Sequence, residues 1–133
     1  MEGYNILAVL IILVGVSMGQ IPGGWIDANV GDTDVKEAAR FATEAQSSRS
    51  NSLYHHKLLK IHKARTQVVS GINYEVFIET GTTTCKKSEV PLEDLKRCAV
   101  PENGVKHLCQ AIVWVQAWIP RTKVTKLECQ NKG

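Results

Sequence analysis

From Ile6 to Val14 every position is apolar, and small residues follow at Ser17 and Gly19. That is the apolar segment and cleavage pattern of a secretory leader, although the residues before it carry no Lys or Arg, only Glu2. The run is well short of the roughly 20 apolar residues a spanning helix needs. The expected organisation is a signal peptide over 1–19 and one domain over 20–133, starting at Gln20. Beyond the short segment Ile21-Pro22-Gly23-Gly24-Trp25, the pattern becomes helical. Val35, Ala38, Ala39, Ala42 and Ala45 recur at three- and four-residue spacing with Phe41 on the flank. Asp34 is placed to cap this helix, with Glu37 three residues on as its capping-box partner. The polar run from Ser47 to Ser52 ends it. So many alanines suit a helix lying close against a sheet.

From Leu53 the period shortens to two. Leu59 and Ile61 alternate with Lys60 and His62, a strand to about Arg65. Ile72, Tyr74, Val76 and Ile78 then oppose Asn73, Glu75 and Glu79. These runs flank Gln67-Val68-Val69-Ser70-Gly71 and predict an antiparallel hairpin. The segment 80–108 reads as turn-rich and polar, and a second hairpin follows it. One N-terminal helix ahead of four or five strands predicts an α+β fold, the helix packed on an antiparallel sheet.

All four cysteines, Cys85, Cys98, Cys109 and Cys129, lie in the second half without a Cys-x-x-Cys. A zinc or redox motif is therefore poorly supported, and an oxidising compartment would make two disulfides by one of three connectivities. Each loop of the sequential pairing would be worth about 3 kcal/mol in the chain-entropy account. If Cys109 and Cys129 face each other, the turn centres on residue 119, at Trp118-Ile119-Pro120-Arg121. A proline is tolerated there because it need not donate to the ladder. Trp118 would then stand at an exposed tip, a candidate binding anchor.

Charge adds little. The formal balance is +3, rises by one when Glu2 leaves with the leader, and includes no Lys/Arg cluster of the kind nucleic acid requires. No Asn-x-Ser/Thr sequon occurs. His55, His56 and His62 fall on a strand and His107 on a distal loop. His56 and His62 can share a face but lack a third ligand, so neither metal nor cofactor is expected. With the cysteines paired no thiolate is free, and no Ser/His/Asp or carboxylate constellation stands out, which argues against an enzyme.

The glycine arm, the Gln-Val-Val-Ser-Gly hairpin and the Trp-bearing second hairpin, in this order, resemble the secreted two-disulfide cystatins over the whole stretch from Gly23 to Cys129. One departure stands out: Ala117-Trp118 replaces the family's Pro-Trp. The resemblance implies pairing of Cys85 with Cys98 and of Cys109 with Cys129. It implies a reversible, tight-binding inhibitor of papain-like cysteine peptidases of the cathepsin L, B and S type, secreted to the extracellular space. The wedge would comprise Ile21, Pro22, Gly23 and Gly24, the tip Gln67, Val68, Val69, Ser70 and Gly71, and Ala117 with Trp118. Ser50-Asn51-Ser52 matches the context with which some members inhibit legumain, an asparagine-directed cysteine peptidase. The chain would act as a monomer able to exchange its first hairpin with a second copy. The rival is a non-inhibitory cystatin-fold binding protein or a cathelicidin-like pro-domain. Against it stand the nearly complete motif set and the mere four residues, Gln130 to Gly133, after Cys129.

Overall fold

The computed structural model describes residues 23–132; the leader boundary and the candidates Ile21 and Pro22 lie outside the described residues. A short strand β1 (Ile26–Ala28) leads into helix α1 (Thr33–Arg49), followed by strands β2 (Tyr54–Val69), β3 (Gly71–Lys86), β4 (Lys106–Gln116) and β5 (Arg121–Asn131). The five strands form one sheet in chain order, with every neighbouring pair antiparallel.

The helix begins slightly earlier than its sequence pattern suggests. The amide of Asp32 donates to the carbonyl of Asn29, and the amide of Gly31 to the Asn29 side chain at 2.7 Å. That turn hands the chain to α1 with Asp32 at the N-cap. Asp34 is thus a first-turn residue, and its expected capping box with Glu37 is not formed; Glu37 instead pairs with Arg40, which also reaches Glu44. The C-terminal end falls as expected, at Arg49 and Ser50.

The alanine stripe faces the sheet. Val35, Ala38, Ala39 and Ala42 are buried against Ala64, Tyr74, Val76, Ile78, Cys109, Ala111, Val113 and Val124. An alanine removes little area from water but lets the helix backbone approach closely. The valines and isoleucine of the sheet then fill the layer, each worth about 1.5–3 kcal/mol when fully buried. Side chains alternate across a strand, so the opposite face of the same strands carries Arg65, Gln67, Asn73, Glu75, Phe77, Gln110 and Trp114.

The region 80–108 is more regular than its polarity suggests. β3 continues to Lys86 through Thr80, Gly81, Thr82, Thr83 and Thr84, and Thr80 and Thr83 are buried. Threonine is β-branched, so it suits a strand while reading as polar. His107 accordingly stands on β4, not on a loop, with its ring centroid 5.2 Å from that of His56. His56 is buried and His62 exposed, so the two do not form a common site. Burial, and then the neighbouring His107, Lys87 and His55, hold His56 down to about 4. Among the described residues no group of three His, Cys, Asp or Glu side chains could hold a metal ion.

Both disulfides join consecutive cysteines, Cys85–Cys98 and Cys109–Cys129. Cys109 and Cys129 are direct cross-strand partners. The second hairpin turns over residues 117–120, one residue before the expected 118–121: a register shift beyond Ile112 moves its centre by half a residue from the cysteine midpoint, and Arg121 already belongs to β5.

Candidate functional site: one end of the sheet

The first hairpin is as tight as two long strands allow. Val69 pairs with Gly71, leaving Ser70 alone at the bend. Gly71 has φ +109°, and a Cβ on it would lie 2.5 Å from the Val115 carbonyl oxygen. Conformation and space both call for glycine there. Gln67, Val68 and Val69 are therefore the last rungs of β2, not part of a loop. The Gln67 side chain is spent on structure, because its Oε1 accepts from Asn73 Nδ2 at 3.1 Å across the hairpin.

The second tip lies at the same end. Ile72 faces Val115 and Asn73 faces Trp114 across β3 and β4, so Ser70 and the 117–120 turn project beyond the same sheet boundary. Trp114 Nε1 donates to the Ser70 carbonyl oxygen at 2.9 Å, binding one hairpin to the other. Trp118 is 61% exposed and Ile119 45%, beside Val68 at 60% and Val69 at 38%. Four large apolar side chains left in water at one end of a well-packed domain constitute a patch that a partner would cover. The segments Gln67–Gly71 and Ala117–Pro120 contain no charged residue, so docking there carries no ionic desolvation cost.

The arm joins this end through Gly23. A Cβ on Gly23 would fall 1.9 Å from the Val68 carbonyl oxygen, whereas one on Gly24 would meet nothing within 4 Å. The two glycines are not equivalent: the first allows contact with the hairpin, and the second sits in open space. Of the residues singled out in the sequence, Gly23, Gly24, Gln67, Val68, Val69, Ser70, Gly71, Ala117 and Trp118 are thus gathered at one end. Trp114 went unnoticed in the sequence because it sits mid-strand among apolar neighbours. The only signal available was its position three residues before the second tip.

Ser50-Asn51-Ser52 is elsewhere. It precedes the start of β2 at Tyr54, so it stands at the opposite end of that strand from Val68 and Val69. Asn51 is exposed. Its loop is held by Ser52 N donating to Ser50 Oγ at 3.0 Å, Tyr54 N to Ser52 Oγ at 3.1 Å, and Lys87 Nζ to the Ser50 carbonyl at 3.1 Å.

Comparison with known proteins agrees with this geometry. Residues 23–118 match the family model described as the cystatin domain. Cystatin-1 of Chilobrachys guangxiensis is 38% identical over 128 residues, covering 96% of each chain. Cystatin-C of Bos taurus is 35% identical over 117 residues, 88% of this chain and 79% of its own. The structure of dimeric human cystatin F superposes with a TM-score of 0.76 at 30% identity, covering 84% of this chain and 90% of that one. The salivary cystatin of the soft tick Ornithodoros moubata gives 0.72 at 29% identity, over 83% and 99%. With its helix on a five-stranded antiparallel sheet, its two sequential disulfides and these relatives, the chain belongs to the cystatin family, as a two-disulfide, type 2 member, and is an inhibitor of cysteine peptidases rather than an enzyme.

Proposed function

We propose that the end of the sheet built from Gly23, the Val68–Gly71 tip and the Trp118 tip is the wedge that enters the cleft of papain-like peptidases of the cathepsin L, B and S type. The observation that supports it most is that Val68, Val69, Trp118 and Ile119, four of the exposed large apolar side chains, come from two hairpin tips joined by the Trp114–Ser70 bond. Val68, Val69, Ser70 and Gly71 lie over the catalytic centre, Ala117 and Trp118 pack on the primed side, and Ile21 and Pro22 take the non-primed subsites. Gln67 serves by bracing the hairpin through Asn73. No scissile bond is laid in register with the attacking thiolate, so inhibition is reversible. Tips already ordered by β-pairing and by the Trp114 bond lose little conformational freedom on docking, which lets apolar contact convert into affinity. Ala117 takes the place of the family's proline, and Pro120 stands in the same turn.

Titration of papain and of a cathepsin-L-like peptidase with disulfide-intact protein tests this reading. Nanomolar-class inhibition is expected, on the order of −12 kcal/mol at 1 nM. Failure at micromolar concentration would leave the non-inhibitory binding protein or cathelicidin-like pro-domain as the alternative.

A second surface supports a second reading, in which Ser50-Asn51-Ser52 inhibits legumain in a substrate-like way, Asn51 filling the specificity pocket. Its exposure on a loop fastened by Ser50, Ser52 and Lys87 favours this. Asn51→Lys should abolish legumain inhibition and leave papain inhibition intact. The protein is read as secreted after removal of residues 1–19, leaving the domain 20–133 free of any membrane. It acts as a monomer that can exchange its first hairpin with a second copy. N-terminal sequencing and sizing of protein collected from the medium check both points.

A further inference from the structure

The arm's point of departure carries a contact that the two tips do not explain. The Arg65 guanidinium lies over the Trp25 indole, 5.3 Å from the ring centroid. Arg65 is itself fixed, ion-paired to Glu75, whose side chain is only 5% exposed. The other Glu75 oxygen accepts from Gln110 Nε2 at 2.9 Å. The indole is thus attached to a relay that crosses β2, β3 and β4 on the face turned away from the helix. A cation held in place over a ring is a directional contact, stronger where water is partly excluded. Two residues before it, Gly23 touches the Val68 backbone, and a Cβ on Gly24 between them would meet nothing within 4 Å. The arm is therefore tied at two points two residues apart, with a free bend between.

We infer that Trp25 is a positioning residue for the arm: by stacking on the Arg65–Glu75 pair it fixes where the chain leaves the sheet, so that Gly23 reaches the peptidase already placed beside Val68. The inference rests on the reading of the arm as part of the wedge. A chain whose exit is held has lost part of its conformational freedom on folding, and less remains to be lost on binding. The indole itself need not touch the enzyme.

The test uses the full chain, secreted from cells with its own leader, in six forms: parent, Trp25→Leu, Trp25→Phe, Gly23→Val, Trp25→Leu with Gly23→Val, and Trp118→Ala. Each is titrated against papain, and each thermal midpoint is recorded. Trp25→Leu and Gly23→Val should each weaken inhibition about tenfold. The double variant should weaken it by about tenfold as well, not a hundredfold, because both changes release the same arm. Trp25→Phe should restore most of the loss, since it returns a ring face to Arg65. The midpoints should barely move. Undiminished inhibition by Trp25→Leu, with Gly23→Val weakened, overturns this inference alone. So does a hundredfold loss in the double variant, or a Trp25→Leu loss that follows a lowered midpoint. If both single variants are silent while Trp118→Ala is weakened, the arm has no place in the wedge and this inference falls with it.

Discussion

Trp114 Nε1 and the carbonyl oxygen of Ser70, 44 residues apart in the chain, are joined by a 2.9 Å hydrogen bond that makes the two hairpin tips a single unit. The indole stands on β4 and faces Asn73, so it reaches the bend of the neighbouring hairpin from outside. Trp114→Phe keeps the ring but removes the donor. It should cost about 1 kcal/mol of stability and weaken papain inhibition severalfold; denaturant unfolding and inhibitor titration together check this.

Gly71 has no tolerated replacement. Its φ of +109° and the 2.5 Å approach of the Val115 carbonyl to any Cβ act in the same direction. Gly71→Ala should destabilise by about 2 kcal/mol or more. Gly24→Ala, where nothing lies within 4 Å, should stay within about 0.5 kcal/mol of the parent. The difference between the two unfolding midpoints is the measurement.

Trp118 is 61% exposed and makes no contribution to the buried core. Trp118→Ala should leave the unfolding midpoint unchanged and cost about 2–4 kcal/mol of affinity for papain-like peptidases, the range of an aromatic anchor. Equal affinity in the variant would remove Trp118 from the wedge.

Acid should loosen the helix exit. His56 is buried between Ser47, on the last turn of α1, and His107, and it is held down to about 4 by burial and by the facing His107, Lys87 and His55. Unfolded, it protonates near 6.5. Above that pH both states are neutral and the group is silent. As pH falls from 6.5 to about 4 the unfolded chain takes up a proton that the folded chain refuses. Stability therefore falls across this window, by up to roughly 3 kcal/mol. His56→Gln should flatten unfolding free energy between pH 6.5 and 4. A further loss belongs to Glu79. Hydrogen bonds from Lys132 and then His62 hold its carboxyl below the usual value, so its contribution is lost only as pH falls through that lowered range.

The readable parts of this fold are those where one periodicity governs a whole element. The alanine stripe marked α1, and the alternation from Ile72 to Ile78 marked β3 and its buried face. β2 was only half legible because its register shifts between Tyr54 and His56, Leu58 and Lys60, and Ile61 and Lys63, each breaking the two-residue period. The threonines that extend β3 hid behind their hydroxyls. β1 is three residues long and two of them are exposed, too little for any pattern. At the candidate site, Val68, Val69 and Trp118 could be placed from hairpin symmetry. The inequality of Gly23 and Gly24 could not, because it depends on the backbone of a residue more than forty positions away. The same holds for Trp114 and for the stacking of Trp25 on Arg65: both are made by register, and register is a property of the folded sheet.

The placement of the disulfides has a chemical consequence for an inhibitor of thiol enzymes. Cys109 and Cys129 face each other seven rungs from the end of β4, about 23 Å from the Trp118 turn at the usual strand rise. Cys85 and Cys98 lie farther along, where β3 ends remote from Gly71. Both disulfides thus lie away from the end proposed to enter papain-like peptidases. A reactive thiolate needs contact with a disulfide sulfur to exchange with it, and the proposed wedge segments, Gln67–Gly71 and Ala117–Trp118, contain no cysteine. Docking by the proposed wedge would therefore leave both disulfides out of reach of that thiolate.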